Sequence, residues 1–329
     1  MTPKPKGTWR TGVLNPNGVS VGNAGSLPIL MEGVKGMQAD AFFLSETKLA
    51  TDQPWVQEQV SKCCGRTHGR KHKVITASSD IPFHTQYKPG GVMGVVNGDS
   101  VGRVLSMGAC ELGRWAWMRM NGGGGRVITL IVTYQVCQAS VRQAGPTTAI
   151  AQQFSMLSQR GKHQPHQVRH HHAHDLVNFV KDCQNNGDKV IVVGDFNETI
   201  GGTGGGMTRL CSDCGLKDPV FEMHGHTGFN THLTGTTCID YMLLDPDLLP
   251  SVQACGYEPF GARVSSDRRG MFLDVNEAMF FGNATAPLPK PSPRSYASKN
   301  IKQTKDYFQH MENHLTNHNW HDNIKHLQQ

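Results

Sequence analysis

The chain is expected to fold as a four-layered α/β sandwich, two packed mixed β-sheets flanked by helices. Three observations carry that expectation. Short β-branched or alternating apolar runs recur along the sequence and dominate it. Before the C-terminal tail, only two stretches space their apolar residues at three and four, as a helix requires. The order of these elements is not a strict strand–helix alternation, which fits two sheets packed face to face with helices on their outer sides.

Taken in order, the first strand signals are faint, between Thr11 and Val21. A clearer strand, Ala39 to Leu44, runs into Ser45-Glu46-Thr47-Lys48. Residues Gly91 to Val96 and Arg114 to Met120 read as further strands, the second alternating Trp115 and Trp117 onto one face. Val127 to Thr133 is a long β-branched run that ends at Tyr134. The two helical stretches follow, one through Ile150, Phe154 and Leu157, the other through Leu176, Phe179, Val180 and Cys183. Val190 to Val193 is too short for a helix and rich in β-branched residues, so it is read as a buried strand. Ile239 to Leu244 and Phe272 to Val275 complete the strands. A Pro/Ser-rich linker is expected at residues 285–298, dividing a domain at 1–284 from a helical tail at 299–329. In that tail Tyr307, Phe308, Met311 and Leu315 recur at roughly helical spacing.

Composition bounds the function only loosely. The 329 residues are 37% hydrophobic with a formal net charge of +6, and the mean hydropathy is −0.41. A modest basic excess favours a polyanionic partner. No apolar run approaches the length of a membrane span, and Met1 to Arg10 has no apolar segment behind it, so neither a membrane anchor nor a signal peptide is expected. Nine scattered cysteines fit a reducing compartment, nucleus or cytoplasm, better than a disulfide framework. The glycine clusters at 122–125 and 201–206 lack the spacing of phosphate-binding loops and read as flexible loops.

Candidate catalytic groups sit at strand ends. Gly194-Asp195-Phe196-Asn197-Glu198 sets an acid and an amide at the mouth of one strand, where an acceptor-only carboxylate beside an amide can orient a water and hold a phosphate oxygen. Glu46 and Tyr134 end two more strands, Asp240 begins another, and Asp267 precedes the last. Residues converging from many strand ends onto one rim are how a rigid scaffold builds a site. The chemistry this points to is metal-assisted phosphodiester hydrolysis.

Six ordered motifs resemble the endonuclease/exonuclease/phosphatase superfamily, the deoxyribonuclease-I-like fold. They are Leu14-Asn15-Pro16-Asn17-Gly18, Leu44-Ser45-Glu46-Thr47-Lys48, Thr133-Tyr134, Gly194-Asp195-Phe196-Asn197, Ile239-Asp240-Tyr241-Met242-Leu243 and Ser266-Asp267-Arg268. Within the superfamily the chain is most similar to endonuclease domains of non-LTR retroelements, over about Thr8 to Glu277. The resemblance implies Mg²⁺ or Mn²⁺ held by Glu46, with Asn17 and Asp267 nearby, and a water oriented by Asp195. It implies that Asn15 and Asn197 bind phosphate oxygens or position Asp195, and that Tyr134 donates to the phosphate. It further implies nucleic acid as partner, DNA before RNA, and a reverse transcriptase domain in longer relatives.

The chain departs from the family in three places. Arg268 stands where the family closes with a His that Asp240 would orient. An Arg keeps its proton and cannot act as a base, yet it can place positive charge on a phosphate. Cys137 stands where many relatives carry Asn, and Asn17 is an amide where an acid is common. Three functions therefore stay open: a DNA endonuclease, a catalytically impaired relic that still binds nucleic acid, and a phosphatase acting on a small substrate.

Other clusters have plainer readings. His163, His166 and His170-His171-His172-Ala173-His174 are read as part of a surface helix, with adventitious metal binding at His170 and His174. Cys211 and Cys214, followed by His224 and His226, fit no standard zinc spacing and are read as a loop. Cys63-Cys64, with Arg66, Arg70, Lys71 and Lys73 around them, are read as a basic loop able to touch nucleic acid.

Overall fold

A computed structural model describes residues 3–22, 24–69, 71–81, 87–137, 145, 147–161, 167–202, 205–226, 228–262, 266–288 and 301–320. The chain divides into two compact units, Met1–Pro289 and Lys290–Gln329. Among its described residues the second has one helix, Ile301–Asn317.

Eleven strands are described in the first unit, in two sheets. The first sheet has the order β10-β11-β1-β2-β4-β3: Val252–Tyr257 (β10), Met271–Asn276 (β11), Thr8–Leu14 (β1), Ala41–Ser45 (β2), Val92–Asn97 (β4) and His72–Ala77 (β3). The second has the order β5-β6-β7-β8-β9: Val104–Ala109, Trp115–Asn121, Val127–Tyr134, Lys189–Asp195 and Asp240–Leu244. Only β1–β2 and β7–β8 run parallel; the other neighbours are antiparallel.

The alternation of side chains along each strand builds the four layers. Phe43, Val92 and Val96 of the first sheet face Met118, Leu130, Val132, Ile191, Val193 and Met242 of the second in one central core. The opposite faces carry Phe42, Leu44, Met93 and Val95 on one side, and Ile131, Val190, Val192 and Leu243 on the other. Helices Ser26–Gly36 (α1) and Pro54–His68 (α2) cover the first of these faces through Leu27, Leu30, Met31, Val34, Val56 and Val60. Helices Val168–Asn185 (α4) and Gly206–Asp213 (α5) cover the second through Leu176, Val177, Val180, Met207 and Leu210. Each such aliphatic side chain contributes roughly 1.5–3 kcal/mol by leaving water. Helices Ala149–Gln159 (α3), capped by the Thr148 hydroxyl, and Pro219–His224 (α6) lie in the connections. A last turn, Glu277–Phe280 (α7), buries Phe280 and Phe281 against Trp9.

Several expected elements are displaced or newly found. The faint first strand lies at Thr8–Leu14, because the Asn15-Pro16-Asn17-Gly18 turn ends it. Three strands were not expected. In β3 the residues are only half-buried and include His72 and Lys73, while β5 exposes Leu105 and Met107 and β10 packs small residues. Helices α1 and α2 were not expected. Cys63 and Cys64 therefore belong to a helix, not a basic loop, and their side chains are buried because they continue the Val56–Val60 face. Cys211 likewise lies on α5 and not in a loop, with Leu210 and Met207 holding that helix to the sheet.

Candidate active site

Strand direction brings the motifs to one edge of the sandwich. The ends of β1 and β2 share a side because the two strands are parallel, and antiparallel β11 begins there. In the second sheet, Tyr134 of β7 and Asp240 of β9 both register opposite Asp195 of β8. Gly194 makes this register possible: its φ is +145°, and a Cβ there would lie 1.9 Å from the Thr133 carbonyl oxygen.

Asn15 joins the two sheets. Its Nδ2 donates to Glu46 Oε2 at 3.0 Å and to Asp195 Oδ2 at 2.7 Å. Its Oδ1 accepts from the Asn17 backbone N–H at 2.8 Å, and its carbonyl accepts from the Ser266 hydroxyl at 2.7 Å. Asp195 Oδ1 accepts from the Asn197 N–H at 2.9 Å. Arg268 lies between two acids, with one amino group 2.9 Å from Asp195 Oδ2 and the other 3.2 Å from Asp240 Oδ2. Asn197 Oδ1 lies 3.4 Å from Arg268 and from Cys137 Sγ, and its Nδ2 donates to the Gln135 carbonyl at 2.7 Å. Asn15, Asp195, Asp240 and Arg268 are all buried.

Nearer solvent, Asn17 Nδ2 donates to Asp267 Oδ2 at 3.3 Å, and His232 Nε2 lies 3.4 Å from the same oxygen. The Lys48 ammonium donates to Asn17 Oδ1 and lies 3.4 Å from Glu46 Oε1. Tyr134 is buried beside Glu46, whose charge adds to the rise in its pKa. A cleft of about 330 Å³ opens beside it, lined by Glu46, Lys48, Tyr134, Cys137, Thr148 and Ile150.

The backbone is distorted where the site is built. Seven non-glycine residues among those described adopt positive φ, and four of them are Asn17, Glu46, Lys48 and Asn197. For Glu and Lys that conformation costs about 1–2 kcal/mol each, and such strain concentrates at functional sites.

Burial sets the electrostatics. It pushes the Asp195 carboxyl from 3.8 up to about 6, against the opposing pull of Arg268, the Asn197 N–H and Asn15. Asp240 is raised well above the carboxylate range by burial and then by the charge of Asp195, with Arg268 again opposing. One guanidinium thus serves two buried carboxylates. Burial also holds Tyr134 far above the usual phenol value, so it remains a donor.

Glu46, Asn17 and Asp267 offer oxygen ligands only, the set a hard divalent cation prefers. Asp267 Oδ1 is buried without a hydrogen-bond partner, and an incoming cation would satisfy it. These residues fit such an ion, which would have to displace the Lys48 ammonium from Glu46 and Asn17. Among the described residues no group of three or more His, Cys, Asp or Glu side chains is gathered to hold a metal by itself. That covers Cys211 and Cys214 with His224 and His226. Of the His-rich run, His163 and His166 lie outside the described residues, and His170 and His174 are exposed on α4.

His172 does not belong to the surface. It is 1% exposed, with Nδ1 3.0 Å from Gln135 Oε1 and Nε2 3.0 Å from the Thr133 hydroxyl. Burial lowers its pKa well below the usual imidazole value, so it is neutral. With Gln135, Arg169 and Glu198 it braces the Asn197 loop from behind: Arg169 donates to the Asn197 carbonyl at 3.1 Å and to Glu198 Oε2 at 3.1 Å. Sequence reasoning missed these four supports together with Lys48 and His232. For His172 the signal was its helical spacing to Leu176.

No protein-family model matches the chain, and no curated protein matches it. Solved structures do. An AP endonuclease from Leishmania major superposes with a TM-score of 0.57 at 12% identity, covering 82% of this chain and 87% of its own. A 3′ phosphatase from Neisseria bound to a product DNA hairpin gives 0.52 at 16% identity, covering 81% and 99%. An AP endonuclease from Archaeoglobus fulgidus gives 0.53 at 13%, covering 80% and 98%. The fold is the deoxyribonuclease-I-like sandwich. At these identities the likeness is one of fold. Among the described residues no helix is long and apolar enough to cross a membrane.

Proposed function

We propose that the chain is a divalent-metal-dependent phosphodiesterase that nicks DNA and descends from a retroelement endonuclease. The observation that carries this reading is the Asn15 amide bound to Glu46 and Asp195 at once, since it ties a cation-binding acid and a water-orienting acid from two sheets into one unit. The structural neighbours named for AP endonuclease activity, and for a DNA hairpin product, lend it support.

In this reading Glu46, Asn17 and Asp267 hold the ion, which supplies charge to the phosphate oxygens when bound. Asp195 orients the attacking water, while Asn15 and Asn197 keep its carboxylate in place. Tyr134 donates to a phosphate oxygen. Arg268, anchored by Asp240, presents positive charge where it develops in the transition state. The reading carries with it an intracellular, nuclear or cytoplasmic, place of action and a reverse transcriptase domain in longer relatives.

A nucleic-acid-binding relic is the second reading. It is favoured by the Arg268 contacts to Asp195 and Asp240, which occupy the acid that must handle the water. Supercoiled plasmid separates the two. Slow Mg²⁺-dependent nicking is expected, abolished by EDTA and by Glu46→Ala, and faster in Arg268→His. Plasmid left intact by both wild type and Arg268→His would sink the nuclease reading.

A further inference from the structure

Beyond the candidate site, four aromatic rings line the loop between α6 and β9. His224 and His226 lie 6.0 Å apart with an interplanar angle of 25°. His226 meets Phe229 edge-on at 5.9 Å, and Phe229 meets Tyr257 at 6.4 Å. This is no piece of core, because Phe229 is 62% exposed and both imidazoles are exposed.

The rings are nonetheless held in place. His224 Nε2 lies 3.3 Å from the Cys255 carbonyl oxygen, and His226 Nδ1 accepts from the Gly228 N–H at 3.1 Å. Gly228 has φ +87°, and a Cβ there would lie 2.4 Å from the Tyr257 hydroxyl, so the backbone passes directly over Tyr257 and lifts Phe229 outward. Arg269 then fastens the loop: it donates to the Asn230 carbonyl at 3.0 Å and lies 4.1 Å over the Phe260 ring. A large exposed ring on a braced loop already has its position fixed and leaves its π-face to a ligand.

The ladder runs into the candidate site. Phe229 is three residues from His232, at most about 10 Å of chain, and His232 pairs by β-bridge with Arg268. With a net charge of +6, the chain suits a polyanion that also carries flat rings. The geometry points to a base-stacking platform: Phe229, backed by His226 and Tyr257, receives an unpaired base of the nucleic-acid strand whose phosphate lies at the candidate site. This rests on the phosphodiesterase reading and narrows its substrate to strands with unpaired bases next to the reacting phosphate. Stacking on aromatic rings is tolerant of sequence, since every base has a π-face.

The test is fluorescence anisotropy with the full chain in EDTA. It uses a fluorescein-labelled single-stranded deoxydodecamer and a dodecamer of the same length whose residues are abasic. Wild type is expected to prefer the strand with bases. Phe229→Ala should weaken that strand about five- to 150-fold, the effect of one stacked base, and leave the abasic strand unchanged. Phe229→Trp should keep the preference, which guards against a folding defect. Equal loss on both strands, or no loss on either, overturns the platform. Wild type binding both strands alike overturns the platform and leaves the phosphodiesterase reading intact. Binding to neither overturns the platform, while Mg²⁺-dependent plasmid nicking still decides the phosphodiesterase reading.

Discussion

Replacing Arg268 by Met tests whether the electrostatic organisation of the site is as described. The guanidinium is 7% exposed and lies 2.9 Å and 3.2 Å from the carboxylates of Asp195 and Asp240, which are 0% and 4% exposed. Removing one partner of a buried ion pair costs about 3–5 kcal/mol, because the other charge is left uncompensated. For a domain of this size that corresponds to a fall in Tm of roughly 6–20 °C at pH 8. The loss should depend on pH in a definite sense. The folded value of Asp195 is raised from 3.8 to about 6. In the wild type this group therefore weakens the fold as pH rises from about 4 to 6, since the native state binds the proton more tightly than the unfolded chain. Without Arg268 the upward shift grows, and the loss extends to higher pH. At pH 5 the carboxyls are largely protonated in the native state and little charge is stranded. Thermal unfolding followed by circular dichroism at pH 5 and pH 8 reads the difference. An equal drop in Tm at both values would refute the reasoning and reduce Arg268 to a packing residue.

Two further outcomes follow from the same geometry. At an effective dielectric constant of about 20, an ammonium 3.4 Å from a carboxylate oxygen interacts by at most about 5 kcal/mol, and partial exposure leaves only a fraction of that. Lys48→Met should still tighten Mn²⁺ binding at least about tenfold by isothermal titration; unchanged or weaker binding would contradict the displacement of Lys48 by a metal. In the proposed mechanism Asp195 orients water only when ionised, and its pKa is raised to about 6, so the plasmid-nicking rate should fall about tenfold per pH unit below about pH 6. A flat profile from pH 5 to pH 8 would remove Asp195 from that role.

The fold class and the strand ends that form the candidate site were legible in the sequence, whereas several elements around them were not. Asp195, Tyr134 and Glu46 stand at the ends of apolar strands, so a local pattern located them, and the order of the motifs located Asn15 and Asp240. The helices of the outer layer were hidden by composition. Pro28, Gly33 and Gly36 in α1 weaken the helical signal, and its stability comes from Leu27, Leu30, Met31 and Val34 on the sheet, a tertiary effect. Strand β3 is an edge strand whose residues are only half-buried, so it lacks the apolar density of Val190–Val193. The supports behind Asn197 were invisible for another reason. Arg169, His172 and Glu198 meet only because α4 crosses the end of β8, and a polar residue inside a polar helix announces nothing about what it touches. Lys48 was visible in its motif, but its contacts depend on the positive φ at Glu46 and at Lys48 itself, which no pattern of residue types reveals.

The first strand of the chain lies in the middle of its sheet, between β2 and β11. Across the β1–β11 seam Arg10 and Asp274 register opposite one another and form a buried bidentate pair with both distances 2.7 Å. This topology sets an order of events. During synthesis β1 can meet β2 early, yet one of its edges has no partner until residues 271–276 have left the ribosome, and until then Arg10 lacks its carboxylate. Contacts this distant in sequence make for slow folding, and an open strand edge in a partly made chain invites association with other chains. Asn15, at the end of that same strand, waits nearly as long to accept its hydrogen bond from Ser266. The residue that joins the two sheets at the site is therefore among the first to be made and among the last to be completed.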